Sequence, residues 1–155
     1  MNILRKIDID IHDILTQVAM TSEYMAVKNE RAAENYERLA VMEVDEPLLS
    51  SAITMAYHQV CEILQPYILP HLALETPHHY SLCVRPDVAV SENTVRFWQI
   101  QAHELMKAAI LTEWLRIVAP EIANQWYHRA EEIRQQFIVS LTPRLRKPRK
   151  RMEVV

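Results

Sequence analysis

Several pairs of residues in this chain stand at spacings that could do chemistry. His58 and Glu62 are four apart, and so are His128 and Glu132. On a helix each pair would present a nitrogen and an oxygen from one face to a single metal ion. Helical di-metal sites rest on Glu-x-x-His with further inward glutamates, and neither histidine here has a glutamate three positions before it; the Glu-x-x-His at Glu75-Thr76-Pro77-His78 is broken by a proline. Both pairs therefore read as helix-surface polar pairs. The acids of Glu34-Asn-Tyr-Glu37 and Glu43-Val-Asp-Glu46 are spaced to hold Mg²⁺ against phosphates, as in helical nucleotide pyrophosphohydrolases. A second acidic helix to complete that site is missing, so a solvated acidic face is the expectation. His71, His78 and His79 crowd a proline-rich stretch, where they would suit metal or a pH-sensitive surface. Glu75 stands four residues after His71 and three and four before His78 and His79, but Pro77 breaks any helix that would put them on one face, and loop composition is the simpler reading.

The elements that must position these residues are mostly helices. Ile7, Ile9 and Ile11 alternate with Asp8 and Asp10, which predicts a short strand over residues 3–9 with one face buried. From Asp10 to Val27 apolar residues recur at helical spacing, with Asp8 or Asp10 as the cap. Residues 28–44 are the most polar stretch and support a short helix in which Glu34 and Arg38 form an i,i+4 pair. Asp45-Glu46-Pro47 combines an N-cap, an acid and a first-turn proline, and opens an apolar helix to about Leu64 that Pro66 and Pro70 terminate. Over 72–90 the phase of Tyr80, Leu82, Val84, Val88 and Val90 predicts two short strands turning at Arg85-Pro86-Asp87, with residues 3–9 a candidate third. Ser91 caps a helix to about Val118, and Pro120 restarts one that reaches Leu141. The expected fold is a mainly α bundle of four to five helices with a small β-hairpin or short strands around 78–90. Residues 1–143 form one domain and residues 144–155 a basic arm.

Composition narrows the function classes. The chain has no glycine in 155 residues, where average usage would give about eleven. Phosphate-cradling loops, nucleophile elbows and tight two-residue hairpins all draw on glycine, so P-loop, dinucleotide-binding and α/β-hydrolase folds are disfavoured together. With 50% hydrophobic and 24% charged residues the composition is globular. No apolar run approaches the ~20 residues that cross a bilayer, and Ile7-Asp8-Ile9-Asp10 stands where a secretory signal would need its apolar core. The chain reads as soluble and unexported, without a membrane partner. Cys61 and Cys83 are too few for a disulfide framework or a cysteine-rich zinc site and read as buried or half-buried thiols. No cofactor or catalytic residue is implied.

Trp98, Trp114 and Trp126 lie at helical spacing on apolar faces, which points to the core or to a subunit contact. Arg144, Arg146, Lys147, Arg149, Lys150 and Arg151 crowd eight positions after Pro143, which should stop the helix. Six basic residues against Glu153 give residues 144–155 a charge of +5. The total is −3, so the rest of the chain carries −8. Such a split is a contact signal. An acidic body is a poor wrapper of DNA, and docking of the arm on a neighbouring copy fits the charges better. A stand-alone nucleic-acid-binding or regulatory protein using the arm is the alternative, with a metal-dependent helical nucleotide hydrolase using the acids at 34–46 a second one.

Taken in order, these elements resemble the small head–tail connector (adaptor or head-completion) proteins of tailed bacteriophages. The resemblance rests on Asp45-Glu46-Pro47-Leu48-Leu49 opening a helix to Leu64, the strand-bearing stretch at 72–90, and the helix pair from Trp98 to Leu141. The segments Tyr24-Met25-Ala26-Val27-Lys28 and Tyr36-Glu37-Arg38 are similar to those of phages from gut Bacteroidales. The resemblance implies a non-enzymatic virion protein, assembled in the host cytoplasm into a neck ring of about a dozen copies. Its partners would be its own copies, the portal, and a further neck or tail protein, with DNA passing through an acidic lumen unbound.

Overall fold

The computed structural model describes residues 4–28, 45–68, 74–76, 78–85 and 90–145. For residues 26–28, 46, 74–75 and 142–145 it describes the backbone only. The chain is mainly helical with a small antiparallel sheet. Strand β1 (Arg5–Asp10) runs into helix α1 (Ile11–Lys28); α2 (Glu46–Leu64) follows, with a 3-10 turn at Gln65–Tyr67. Strands β2 (Leu74–Glu75) and β3 (His79–Val84) precede the long helices α3 (Glu92–Val118) and α4 (Pro120–Leu145).

The sheet order is β1-β3-β2, antiparallel throughout. Alternation in β1 does what period-2 patterning requires: Ile7 and Ile9 are fully buried, while Lys6, Asp8 and Asp10 take the other face. Opposite them, Ile7 faces Leu82 and Ile9 faces Tyr80 on the core side. The strand ends where Asp10 becomes a helix cap, its Oδ1 accepting the Asp13 N–H at 3.1 Å. Strand and helix thus meet without a loop, which resolves the overlapping periodicities at residues 9–11.

Helix α3 is the hub. It is capped as expected, with Ser91 Oγ accepting the Thr94 N–H at 3.2 Å. From Ala108 to Thr112 every residue is buried, so this stretch faces protein on all sides. It packs on α4, α2, β1 and α1. The one hydroxyl in that run, Thr112, is satisfied by donating to the Ala108 carbonyl at 2.8 Å. Ala119, at φ −153° and ψ 72°, separates α3 from α4. Its carbonyl accepts from the Ile122 and Ala123 amides. Pro120 sits first in α4, where a missing N–H costs little. Across the core Tyr57 of α2 meets Tyr80 of β3 with ring centroids 4.2 Å apart.

Three expectations need correction. The main partner of β3 is β1, while its hairpin partner is β2, closed by mutual Thr76–His79 backbone bonds. No strand begins at Val90, and residues 86–89 lie outside the described residues. The chain leaves the sheet after Val84: the Arg85 N–H donates to the Tyr67 carbonyl, and the Val90 carbonyl takes the Arg5 guanidinium at 3.0 Å. Asp45 precedes α2 with helical angles (φ −87°, ψ −11°) and makes no side-chain cap bond, because a capping side chain needs an extended backbone. Pro143 does not end α4, which runs on to Leu145. Its missing N–H removes one bond near a helix end already anchored by buried Phe137 and Leu141. The predicted helix over 28–44 lies outside the described residues beyond Lys28.

Phe137 is fully buried and Val139, two residues on, is 62% exposed. Phe137→Ala is expected to cost about 3–5 kcal/mol, and Val139→Ala under about 0.5 kcal/mol, in urea denaturation at fixed protein concentration. Similar losses for both would contradict this placement of α4.

Candidate functional site

A polar cluster stands on the face of the sheet opposite Ile7 and Ile9. Register places Asp8 opposite Ser81 and Asp10 opposite His79. Asp8 Oδ1 accepts the Ser81 hydroxyl at 3.1 Å, and His79 Nε2 and Lys6 Nζ lie 3.3 and 3.6 Å from the same oxygen. A serine, a histidine and an aspartate together invite comparison with a hydrolytic triad. There the serine gives its proton to the histidine and the acid orients the ring from behind. Here serine and histidine converge on one carboxylate oxygen, so the imidazole is not placed to activate the hydroxyl. With Asp8 40% exposed, the ion pairs are solvent-screened and weak. The arrangement locks the β1–β3 register.

A second set of polar contacts closes the open edge of β1. The Asp8 N–H donates to Gln99 Oε1 at 3.3 Å and the Asp10 N–H to His103 Nε2 at 3.2 Å. Gln99 and His103 are one turn apart on α3, matching alternate amides of the strand. Since Nε2 accepts, the ring proton is on Nδ1, which donates to the Gln99 carbonyl at 2.7 Å. Two side chains of α3 thus occupy the donors that a foreign strand would otherwise take.

On the far side of α3, helices α2 and α4 leave a groove of about 210 Å³. Its lining includes four buried alanines, Ala52 and Ala56 of α2, Ala109 of α3 and Ala130 of α4. Met55, Tyr127, Glu113, Arg116 and Glu131 also line it. Arg116 pairs with Glu113 and holds its guanidinium 5.9 Å from the Tyr127 ring centroid.

The residues singled out from the sequence are mostly kept apart. His58, Glu62, His128 and Glu132 are all exposed, and Glu132 pairs with Arg129 at 3.5 Å. Among the described residues no group of three or more His, Cys, Asp or Glu side chains could hold a metal, and no helix is long and apolar enough to cross a membrane. His79 acquires a carboxylate, supplied by Asp8 of the neighbouring strand β1. His71 and the acids at 34–43 lie outside the described residues, as do Arg146, Lys147, Arg149, Lys150 and Arg151; Arg144 is described as helical backbone alone. Trp98 and Trp114, at 2% and 4% exposure, are core residues of the single chain. Trp126 is half-buried, its Nε1 donating to Met25 Sδ of α1 at 3.3 Å. Cys61 and Cys83 are half-buried and not joined in a disulfide.

Asp8, Ser81, Gln99 and His103 escaped the sequence reading. Only the outward phase of Lys6, Asp8 and Asp10 hinted at a polar face, and nothing local named its partners.

No family model, curated protein or solved structure matches the chain.

Ser81 is 2% exposed, so Asp8→Ala strands a buried hydroxyl and is expected to cost about 1–3 kcal/mol. Ser81→Ala in the same chain should recover part of that loss; strictly additive losses in a double-mutant cycle would refute the coupling. Gln99→Leu with His103→Leu frees the strand edge and should raise light scattering on storage at unchanged far-UV circular dichroism. Scattering equal to the parent's would show that the edge is guarded otherwise.

Proposed function

We propose that the chain is a structural subunit that assembles with its own copies into a closed ring, like the head–tail connectors it resembles, and catalyses no reaction. The observation that carries this reading is the distribution of exposed apolar side chains. Met20 and Tyr24 stand one turn apart on α1, Leu48 and Met55 two turns apart on α2, and Phe97 and Ile100 share a face of α3. All six are 44–64% exposed.

Single exposed apolar residues are normal on a monomer. Pairs at helical spacing on three separate helices are stripes, which suit burial against another protein surface. A head-to-tail contact needs two unlike patches per copy, and repeating it closes a ring when the rotation permits. The acidic body and basic arm add a sign difference that favours contact between unlike patches of identical copies. By the resemblance, the ring sits in the virion neck between the portal and a further neck or tail protein. An acidic channel wall lets DNA pass without gripping it.

Native mass spectrometry and particle imaging test this reading directly. The expected result is a closed ring of about a dozen copies, weakened by Phe97→Ser with Ile100→Ser while the helical signal is kept. A chain that stays monomeric at high concentration, or one that binds DNA with steep salt dependence in place of assembling, overturns it.

A further inference from the structure

We propose that the groove between α2, α3 and α4 is the receiving site for the basic arm of a neighbouring copy. The inference rests on the assembly reading above and gives it a contact.

Size argues first. At about 210 Å³ the groove falls below the roughly 300–1,000 Å³ of small-molecule pockets. It is the volume of about seven waters, enough for one or two side chains of an extended segment. Its alanines offer an apolar floor on which a long aliphatic stem can lie.

Charge argues second. Glu113 and Glu131 line the groove against one cation, Arg116. The α2 wall offers no opposition, since residues Glu46–Leu64 include no lysine or arginine. Both carboxylates are accessible, with side chains 35% and 42% exposed, and their present partners, Arg116 and Arg134, are surface arginines on the same helices. Such pairs are worth little and exchange readily. Arg116 also shows what the rim accepts: a guanidinium beside Glu113 with its carbon over the Tyr127 ring.

Geometry selects the copy. Helix α4 carries the chain away from Glu131 to Leu145, about 21 Å at 1.5 Å per residue. Lys147 and Lys150 stand two and five residues beyond Leu145, where an extended main chain has gone no more than about 7 and 18 Å, short of the way back to Glu131. To enter its own groove the arm would have to reverse at once and run back along α4. The groove these lysines meet is therefore a neighbour's.

The test uses full-length protein, half of it ¹⁵N-labelled, cross-linked with a zero-length carbodiimide and read by mass spectrometry. Lys147 and Lys150 should link to Glu113 or Glu131 in peptide pairs of mixed isotope. In parallel, Glu113→Lys with Glu131→Lys should weaken self-association roughly tenfold, and deletion of residues 144–155 at least as much, with the helical signal retained. Links confined to one copy, links to other acids, or an intact ring without these links each overturn the groove assignment while leaving assembly standing. Protein that is monomeric before any substitution overturns the assembly reading itself, and the groove assignment with it.

Discussion

A helical stretch buried on every side must be enclosed on every side, and residues Ala108–Thr112 of α3 impose that constraint on the rest of the chain. No pair of neighbouring elements can satisfy it. Helix α4 follows after a single residue and covers one flank, and α2 covers another. The remaining sides are taken by β1 and α1, which come from the opposite end of the sequence. The N-terminal strand is thus recruited by a helix that begins more than eighty residues later. The sheet exists because β1, once held there, offers β3 a partner.

Laying a strand beside a helix creates a difficulty that the sequence solves locally on α3. The outward amides of β1 face a helix whose own backbone donors and acceptors are already paired. Gln99 and His103 supply side-chain acceptors at one-turn spacing, and alternate strand amides meet them. The same two residues close the edge against foreign strands. Asp8 links the two arrangements: its amide reaches α3 and its carboxylate reaches β3.

What was legible in the sequence is what depends on neighbours in the chain. Helical periodicity, Ser91 as a cap, Pro120 as a restart and the alternation of Ile7 with Ile9 are local signals, and each produced its element. Asp45 shows the limit of such signals, because the right residue type took helical angles and lost its capping geometry. Partner choice was not legible. Val88 and Val90 continue the phase of Tyr80–Val84, yet β3 pairs with β1, whose claim comes from the core face of Ile7 and Ile9. The Asp8 cluster was invisible for the same reason. Its members lie 71 and 73 residues apart, and a slip of one position in register would turn them to opposite faces.

The distribution of polar and apolar groups bears on where this molecule can act. Its described buried hydroxyls are engaged in holding structure: Thr112 and Ser22 bond carbonyls of their own helices, and Ser81 bonds a carboxylate that sets strand register. The available apolar surface lies outside, in stripes on α1, α2 and α3. Exposed ion pairs such as Glu113–Arg116 are too weak to drive association alone, whereas apolar area removed from water stabilises contact in proportion to its extent. Apolar stripes therefore supply the cohesion, and charge decides which surface meets which. The groove holds both terms within one small volume, an alanine floor beneath two carboxylates, which suits it to selecting a segment by its charge and holding it by its stem.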